Sequence, residues 1–542
     1  MVGPRAAHAV VDVLASWGVR HVFTCPGSTE APFLDASIDR PDIDVWLTTH
    51  ELTAVAMADG YARFSGGVPG VAYLHTNVGL VNGLGAVYAA QIARSPVVVL
   101  NGLKASVIQS RRGFTAVPDV GQLAAPHVGW RWQSLRTEEV AADLSRALQV
   151  ATTEPCGPVW LGLPEDLLTA PADAVTPPAG RSRAVSAGRP DGDAVASAAD
   201  ALAAARRPVL VAGADVARHD ACDLLVRLAD DLGAVVLHED RRSFERSAFP
   251  TDHPAYAGFY ALGHPAVQRA DVVAFLGGRF FHEFEAGSVA PPPDHATVIH
   301  SNSDPAEIGR TYGADITLTG HHRAVLTDLL AALDGRAPAG DWQEDERERP
   351  APRSFASDRL TVDRVMDTLA AHVDDRTRVV ADAVTSGAAL FERIPQRVPS
   401  QVVTTSCGAL GWGMGAALGV AIARPDDRVV CVVGDGAFQF GVHALWVAAR
   451  RRLPVTFVAV NNESYAAVAA ALRRYGNRAV EADHYPGKDI AGPDLAAIAM
   501  GYGVDAVRVG TAEELDKALG DALAGDAPRV IEAMTDPADL GP

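Results

Sequence analysis

The sequence predicts an α/β protein with three doubly wound, parallel-sheet domains. Short apolar runs rich in Val, Ile and Leu alternate with helical stretches along the chain, and such runs are typical of strands buried on both faces of a parallel sheet. Two segments without apolar periodicity divide the chain into three comparable pieces. A length of 542 residues suits about three or four domains of ~150 residues, each with its own core.

The two dividing segments have the composition of solvated linkers. Residues from about 171 to 193 are rich in Pro, Ala, Gly and Arg, and residues from about 334 to 358 hold a mixed charge run between prolines. We therefore expect an N-terminal domain over 1–175, a central domain over 190–335 and a C-terminal domain over 358–542.

Each piece contains its own candidate strands. Residues 10–22 predict an amphipathic helix that leads into a strand. The apolar runs predict further strands at 70–74, 97–100 and 158–163 in the first piece, at 208–212, 234–237, 272–276 and 297–300 in the second, and at 378–381, 429–433, 455–460 and 529–533 in the third. No internal repeat of short period interrupts this pattern.

Charge and composition narrow the classes of partner. The chain holds 47 basic and 66 acidic residues, for a net charge of −19, which argues against a nucleic-acid partner and against an anionic membrane surface. No apolar run approaches the ~18 residues of a membrane span, and the N-terminus lacks a signal pattern, so we expect a cytoplasmic location. The five cysteines form no Cys-x-x-Cys pair, which indicates neither a disulfide framework nor a zinc site.

A glycine turn that carries Asp435 predicts a site for a metal-bound diphosphate. The turn lies between an apolar strand and a helical stretch, and the next strand ends in Asn462, 27 residues later. The helix N-terminus offers N–H groups and partial positive charge to phosphate oxygens, and Gly434 and Gly436 allow close backbone approach. Asp435, the Asn462 amide oxygen and a loop carbonyl, assigned to Ser464, are hard donors that suit Mg²⁺. The competing interpretation is a parallel-sheet turn that carries Asp and Asn by chance.

A second motif lies in the first piece. Glu51 follows His50 and opens a helix of small residues that ends near Arg63 and must pack closely against a neighbour. A carboxylate at the start of a helix is also a favourable N-terminal charge without further function. This motif on its own leaves both interpretations open.

Together, the two motifs resemble the cofactor signature of thiamine-diphosphate (ThDP) enzymes. In that superfamily a His-Glu pair opens a helix that ends in Ala-Asp-Gly-Tyr-Ala-Arg, and the resemblance makes Glu51 the activating glutamate. A carboxylate hydrogen-bonded to the aminopyrimidine ring promotes loss of the thiazolium C2 proton, so that the cofactor serves as nucleophile and electron sink. The resemblance also implies a pyrimidine-binding N-terminal domain, a central domain and a diphosphate-binding C-terminal domain that holds Mg²⁺.

The resemblance assigns further cofactor contacts in the third piece. Leu410 would bend the cofactor into its V shape, and the Gly408 carbonyl would bind the pyrimidine amine. The other implied contacts are Thr385, Gly434, Asp435, Gly436, Ala437 and Tyr465. A competing motif, Gly-x-Gly-x-x-Ala at 411–416 with Asp435 about 20 residues on, would indicate a dinucleotide site. We reject it because Asp435 lies in a glycine turn followed by a helix.

Within this superfamily, the chain is most similar to the benzoylformate decarboxylases, over nearly its whole length. The segments that carry this resemblance are 25–34, 74–79 and 279–282. They correspond to the segments that supply the substrate-facing serine and two histidines of those enzymes, here Ser28, His75 and His282. The competing interpretations are a turn residue for Ser28 and a helix-capping residue for His75.

The resemblance implies non-oxidative decarboxylation of a 2-keto acid to an aldehyde and CO₂. Ser28 would hydrogen-bond the substrate carboxylate, and CO₂ would leave from an apolar pocket that disfavours the charged ground state. His75 would donate or relay a proton and His282 would assist aldehyde release, roles that suit histidine because its ordinary pKa lies near neutrality. The resemblance further implies a homodimer or homotetramer with active sites at subunit interfaces.

Three rival functions stay open. A carboligase of the acetolactate-synthase type shares Glu51 and the Asp435 turn but would not need the serine and both histidines together. An FAD-linked oxidase is the second rival. FAD is not supported, because the strand and helix at 208–215 carry no glycine fingerprint. The third is a non-catalytic relative that binds cofactor only, against which the intact Glu51 argues.

The sequence departs from the benzoylformate decarboxylases around the metal loop. Glu463-Ser464 follows Asn462 where those enzymes have Gly-Thr, and residues 466–471, almost all alanine, replace aromatic residues that wall the substrate pocket. The segment that supplies Thr385 also matches loosely. We therefore expect an enlarged or reshaped pocket and a substrate other than benzoylformate itself.

Overall fold

Three six-stranded sheets, each with only parallel strand pairs, form the frame of the protein. The structure is a computed structural model that describes residues 3–175, 188–261, 263–284, 286–336, 339–342, 355–476 and 478–539. Helices flank every sheet. The predicted fold class, three parallel-sheet α/β domains, is confirmed.

The N-terminal sheet has the strand order β2-β1-β3-β4-β6-β5. Its strands are β1 (His21–Cys25), β2 (Asp44–Leu47), β3 (Gly70–His75), β4 (Val97–Leu103), β5 (Trp130–Gln133) and β6 (Val159–Pro164). The accompanying helices are α1 (Ala6–Ser16), α2 (Ala31–Ser37), α3 (Glu51–Ala62), α4 (Thr76–Ile92), α5 (Ser106–Ser110), α6 (Gly121–Ala124), α7 (Val140–Ala151) and α8 (Glu165–Thr169). The predicted helix over 10–22 therefore begins earlier and ends at Ser16, before the strand.

The central sheet has the order β12-β11-β10-β7-β8-β9, which is the strand order of dinucleotide-binding folds. Its strands are β7 (Pro208–Ala212), β8 (Val235–His238), β9 (Tyr256–Phe259), β10 (Val272–Leu276), β11 (Thr297–Asn302) and β12 (Ile316–Thr319). Its helices are α9 (Gly192–Ala204), α10 (Ala214–Arg218), α11 (Cys222–Leu232), α12 (Pro265–Arg269) and α13 (His322–Leu333).

The C-terminal sheet repeats the topology of the first, with the order β14-β13-β15-β16-β18-β17. Its strands are β13 (Thr377–Asp382), β14 (Val402–Thr404), β15 (Arg428–Gly434), β16 (Val455–Asn461), β17 (Asp505–Val509) and β18 (Arg529–Met534). Its helices are α14 (Val362–Ala371), α15 (Gly387–Arg393), α16 (Trp412–Ala423), α17 (Asp435–Gly441), α18 (Ala444–Arg451), α19 (Ala466–Tyr475), α20 (Arg478–Glu481), α21 (Leu495–Gly501) and α22 (Ala512–Ala524).

The central strands of each sheet are buried on both faces, as their apolar runs predict. Along β4, Val97 and Val99 belong to one apolar cluster, whereas Val98 and Leu100 belong to another. Because successive side chains of a strand point to opposite faces, helices must cover both sides of this sheet. This is the doubly wound arrangement.

The strands at the sheet edges are those that the apolar runs did not predict. The unpredicted strands are β2, β5, β9, β12, β14 and β17, and each lies at one end of its sheet. Most of them are short and partly exposed; β5, for example, has exposed residues at Arg131 and Trp132. An edge strand is buried on fewer sides, so its sequence carries a weaker apolar signal.

The two predicted linkers fall largely outside the described residues. Of 171–193, residues 176–187 lie outside them, as do 337–338 and 343–354 of the second segment. The predicted domain limits therefore stay predictions. Among the described residues, no helix is long and apolar enough to cross a membrane; the cytoplasmic location also stays a prediction.

Helices α3 and α16 join the N-terminal and C-terminal domains through a very close crossing. A Cβ atom on Gly60 would lie 2.1 Å from the Ala416 carbonyl oxygen, and one on Gly419 would lie 2.1 Å from the Met57 carbonyl oxygen. The close packing expected of the small-residue helix is thus present. Gly415 also serves this contact, because its Cβ would lie 2.8 Å from that of Ala56. The glycines of 411–416 therefore serve packing, which agrees with rejecting a dinucleotide motif there.

Candidate active site

Asp435, Asn462 and Ser464 come together at the carboxyl ends of neighbouring strands β15 and β16. Asp435 is the first residue of α17, and its carboxylate accepts hydrogen bonds from the Gly436 N–H at 2.7 Å and the Ser464 N–H at 3.2 Å. The Asn462 side-chain oxygen accepts from the same Ser464 N–H at 3.1 Å. Burial raises the pKa of Asp435, and the backbone N–H donors of Gly436 and Ser464 act against that rise.

This donor set fits a hard divalent cation. It offers one carboxylate, one amide oxygen and loop carbonyls, all of which are oxygen ligands of the kind that Mg²⁺ prefers. The Ser464 hydroxyl is buried and has no hydrogen-bond partner among the residues that the structure describes. No group of three or more His, Cys, Asp or Glu side chains able to hold a metal occurs in the described part of the chain, so the candidate depends on a single carboxylate. A cation beside Asp435 would offset the cost of burying its charge.

Gly434 leaves room for a phosphate group beside Asp435. A Cβ on Gly434 would meet nothing within 4 Å. On the opposite side, a Cβ on Gly436 would lie 2.3 Å from the Tyr465 ring, so Tyr465 packs directly on this glycine. Ala437 is buried in the first turn of α17. The predicted diphosphate contacts Gly434, Gly436, Ala437 and Tyr465 thus surround one point at the start of this helix.

A cavity of about 560 Å³ opens beside the C-terminal sheet and is lined by Thr385, Gly408, Leu410 and His282. The first three belong to the C-terminal domain, and His282 reaches the cavity from the central domain. The structure therefore brings together four residues that the sequence assigned from separate motifs. Gly408 has a φ of +71° and open space where a Cβ would stand, so its carbonyl orientation depends on a left-handed backbone that favours glycine.

Asp382, at the end of β13, supports the loop that carries Leu410. Its carboxylate accepts hydrogen bonds from the Gly411 N–H at 2.8 Å and the Gly413 N–H at 3.0 Å. Burial raises the pKa of Asp382 to about 6, and these two N–H donors oppose the rise. The sequence analysis did not identify this residue, although an acid at the end of a predicted strand is a usable signal.

His282 has a position defined by the central domain. Its backbone N–H donates to the Ser243 hydroxyl at 3.2 Å. Burial lowers the pKa of His282, and the Arg279 and Arg310 guanidiniums lower it further, while Asp240 acts in the opposite direction. A neutral imidazole at neutral pH, able to accept or donate a proton, follows from these surroundings.

A second cluster lies at the carboxyl end of the N-terminal sheet. Glu51 opens α3, is half-buried, and accepts a hydrogen bond from the Asn82 side chain at 3.1 Å. A Cβ on Gly79 would lie 3.3 Å from the Glu51 carboxylate. Burial first, and then the carboxylates of Glu51 and Glu30, raise the pKa of Cys25 to about 11, so this thiol stays protonated near neutral pH.

His75 is fixed by an acid that the sequence analysis did not identify. Its Nδ1 lies 2.9 Å from Oε2 of the buried Glu30 and 2.8 Å from the Thr29 hydroxyl. The Gly27 N–H donates to the same Glu30 oxygen at 2.7 Å. His75 is the N-cap residue of α4 by position, but its side chain accepts no hydrogen bond from the N–H groups of that helix. The acid of the Gly-Ser-Thr-Glu turn is the sequence signal that would have identified Glu30.

Ser28 begins the short 3₁₀ turn Ser28–Glu30 and is exposed. Its hydroxyl accepts a hydrogen bond from the Lys104 ammonium at 3.0 Å. Ser28 is therefore a turn residue by position, and its hydroxyl is available at the same edge of the sheet as His75. Lys104 follows β4 directly and has no local sequence signal for this contact.

The N-terminal cluster does not line the cavity of its own chain. In the described part of the chain, Ser28, Glu51 and His75 are not among the residues that line the cavity containing Leu410. Between the two domains, the rings of His50 and His443 are stacked with their centroids 4.8 Å apart. A complete site that uses both clusters would therefore need a second protein surface facing each cluster.

The central domain presents an ion network at the position where its strand order reverses. Arg94, which follows α4, donates to Asp215 at 3.0 Å and to Asn302 at 2.7 Å. Burial acts to raise the pKa of Asp215, but the Arg218 and Arg94 guanidiniums hold it below its ordinary value. Ligands of such sheets bind at this reversal point, and here a side chain of the N-terminal domain reaches it.

Comparisons with known proteins cover nearly the whole chain. Residues 4–123, 195–329 and 384–533 match the N-terminal TPP binding domain, the central domain and the C-terminal TPP binding domain described for thiamine pyrophosphate enzymes. The chain is 32% identical to a benzoylformate decarboxylase of Pseudomonas aeruginosa, over 97% of this chain and 98% of that protein. It is 28% identical to a probable acetolactate synthase large subunit of Methanocaldococcus jannaschii, over 99% and 93% of the two chains.

Solved structures show the same similarity. A ThDP-dependent 4-hydroxybenzoylformate decarboxylase of Rhodococcus jostii superposes with a TM-score of 0.86 at 27% identity, covering 98% of this chain and 99% of that one. A benzoylformate decarboxylase of Polynucleobacter necessarius gives a TM-score of 0.87 at 25% identity, with coverage of 98% and 99%.

Proposed function

Because the chain belongs to the thiamine pyrophosphate enzyme family, we propose that it catalyses the Mg²⁺-dependent, non-oxidative decarboxylation of a 2-keto acid to an aldehyde and CO₂. One observation carries the choice of reaction: His282, from the central domain, lines the same cavity as Gly408 and Leu410. A histidine at this position can take a hydroxyl proton beside the reacting carbon, which is what aldehyde release requires.

Asp435, Asn462 and the Ser464 carbonyl would hold Mg²⁺ and the diphosphate, and Gly408, Leu410 and Glu51 would hold the aminopyrimidine and thiazolium rings. When bound, ThDP supplies a nucleophilic carbon for the keto group and accepts the electron pair released as CO₂ leaves. The remaining steps belong to residues of the chain itself.

Ser28 would donate a hydrogen bond to the substrate carboxylate, and Lys104, 3.0 Å from the Ser28 oxygen, would add a positive charge at the same place. The cleaved bond joins C1 and C2 of the substrate, and its electron pair stays on the C2 side. A proton must then reach C2, and His75, held by Glu30, is the group that would deliver it. His282 would take the hydroxyl proton as the aldehyde is released.

We propose a homodimer or homotetramer in which these two sets of residues meet. Glu51, Ser28 and His75 lie outside the cavity of their own chain. A second copy that places its N-terminal cluster over the cavity of the first would complete the site by symmetry.

A carboligase is the second candidate. Ala467 and Ala470 line the cavity where bulkier side chains would restrict it, and an acceptor carbonyl would need this space. The similarity to a probable acetolactate synthase over nearly the whole chain supports the same possibility.

The test is incubation with ThDP, Mg²⁺ and a panel of aliphatic and aromatic 2-keto acids, with CO₂ and the organic product measured separately. Aldehyde as the main product supports the decarboxylase, and an acyloin or acetohydroxy acid supports the carboligase. Glu51→Gln should abolish turnover, whereas Glu138→Gln, at an exposed turn, should not. CO₂ release that survives Glu51→Gln would contradict the assigned mechanism.

A further inference from the structure

Three arginines are among the residues that line the cavity containing Leu410 and His282. We call them the arginine wall: Arg241, Arg242 and Arg474. Arg241 and Arg242 come from the loop after β8 in the central domain, and Arg474 comes from the last turn of α19 in the C-terminal domain. Two domains therefore contribute cations to the lining of the same cavity.

The members of the arginine wall differ in their partners. Arg241 forms an ion pair with Glu392, which balances its charge. The Arg242 guanidinium lies over the Phe284 ring at 4.4 Å, and the Arg474 guanidinium lies over the same ring at 5.9 Å. Ring contacts of this kind orient a guanidinium and leave its positive charge in place.

The carboxylates of the cavity wall are engaged by backbone groups. Asp382 accepts from the N–H groups of Gly411 and Gly413, and Glu283 accepts from the Gly287 N–H at 2.9 Å. Arg242 forms no ion pair with a described residue. Arg242 is exposed where it lines the cavity, so its charge is available to a ligand there.

Where α19 borders the cavity, its side chains are small. Ala467 and Ala470 line the cavity with methyl groups in place of larger, phenyl-binding side chains. Arg474, further along the same helix, also lines the cavity. A planar guanidinium is well matched to a carboxylate or another oxyanion, which it can bind through two parallel N–H donors.

We infer that the substrate is a 2-keto acid with a second anionic group at the end far from the keto function, and that Arg242, assisted by Arg474, binds that group. The inference rests on the proposed decarboxylation and adds the substrate class. The shared chemistry is an oxyanion, whether carboxylate, sulfonate or phosphonate.

The experiment compares matched substrates that differ only in this terminal charge. The pairs are 2-oxohexanedioate with 2-oxohexanoate, and 4-carboxybenzoylformate with 4-carbamoylbenzoylformate. The holoenzyme is assayed for kcat/KM on each, and the anionic member is expected to exceed its neutral partner by about tenfold or more, as for a charged hydrogen bond. The advantage should shrink as the ionic strength rises.

Variants identify the residue responsible. Arg242→Gln should reduce the ratio of kcat/KM for anionic over neutral substrate by about tenfold, through KM more than kcat, and Arg242→Lys should retain part of the ratio. Arg227→Gln, on the exposed side of α11, is the matched control and should leave the ratio unchanged. Glutarate and butyrate, measured as competitive inhibitors, give a second readout, because only glutarate should lose affinity in Arg242→Gln.

The outcomes separate this inference from the proposed function. Equal or better turnover of the neutral members would overturn the substrate class and leave the decarboxylase standing. A preference for the anionic members that survives Arg242→Gln would overturn the assignment to Arg242. Absence of CO₂ from every keto acid, with cofactor bound, would reject the proposed function and this inference with it.

Discussion

The Nδ1 atom of His75 lies 2.9 Å from the carboxylate of Glu30, which has no solvent exposure. The site around this pair has no spare room. A Cβ on Gly27 would lie 2.5 Å from His75 Nδ1, and one on Gly102 would lie 1.8 Å from a Glu30 oxygen. Glycine at these two positions leaves room for the acid–histidine pair. The close packing fixes the orientation of the His75 ring, the candidate proton donor.

Glu30→Gln should therefore lower kcat by about tenfold to a hundredfold, because a misdirected imidazole loses part of the contribution of general acid catalysis. The amide would also present a donor to the Gly27 N–H, at a stability cost of about 1–3 kcal/mol. Steady-state kinetics and thermal unfolding measure the two effects. Asp39→Asn, at an exposed carboxylate, serves as the control, and unchanged kcat in Glu30→Gln would remove Glu30 from the mechanism.

Lys104→Gln should raise KM for 2-keto acids by about threefold to tenfold and affect kcat less. The Lys104 ammonium lies at the Ser28 hydroxyl, and a partly exposed charge of this kind contributes modestly and is screened by salt. The difference between the variant and the parent protein should decline at high ionic strength. Lys517→Gln, exposed on α22, should behave as the parent, and a salt-independent KM would argue against an electrostatic role.

Asp382 should make stability depend on pH between about 4 and 6. Burial raises its pKa from 3.8 to about 6, so between these values the unfolded chain has lost the proton while the folded protein keeps it. This group therefore makes folding less favourable as the pH rises through that window, by about 3 kcal/mol in total. Above pH 6 the contribution is constant.

The comparison with Asp382→Asn isolates this effect in the cofactor-free protein. The parent protein should lose stability relative to the variant as the pH rises from 4 to 6, measured as the difference in Tm at each pH. Asp526→Asn, at an exposed carboxylate, should follow the parent. A difference that stays constant across the window would show that Asp382 ionises normally.

Arg94→Met should destabilise the protein by about 3 kcal/mol. The change leaves Asp215 buried with Arg218 as its remaining cation, and removing one partner of a buried ion pair is strongly unfavourable. Thermal unfolding measures the loss, with Arg336→Met, at a surface ion pair, as the control. A loss no larger than that of the control would mean that Arg94 does not anchor the N-terminal domain to the central sheet.

The parts of the fold and site that the sequence predicts are those encoded locally. Strands buried on both faces, such as β15 and β16, are continuous apolar runs, and Asp435 and Asn462 follow them directly. The carboxyl ends of adjacent parallel strands meet at one sheet edge, so their proximity follows from the order of elements. The assignment of roles to these residues stays a prediction.

The remaining site residues depend on contacts between distant parts of the chain. Lys104 reaches Ser28 across 76 positions, and Arg242 and Arg474, from different domains, lie over the same Phe284 ring. Such pairs leave no periodic or spacing signal in the sequence. The edge strands are missed for a related reason, because a strand with one neighbour has less apolar surface to bury.

The crossing of α3 and α16 has a mechanical consequence. Glu51 opens one of these helices and Leu410 lies just before the other, while Gly60 and Gly419 bring the two backbones together without intervening side chains. A contact of this density deforms little. Within one chain, the residue meant to activate the cofactor and the residue meant to bend it are therefore carried by one stiff joint. In the proposed dimer these two residues serve different active sites, so the joint would connect the two sites mechanically.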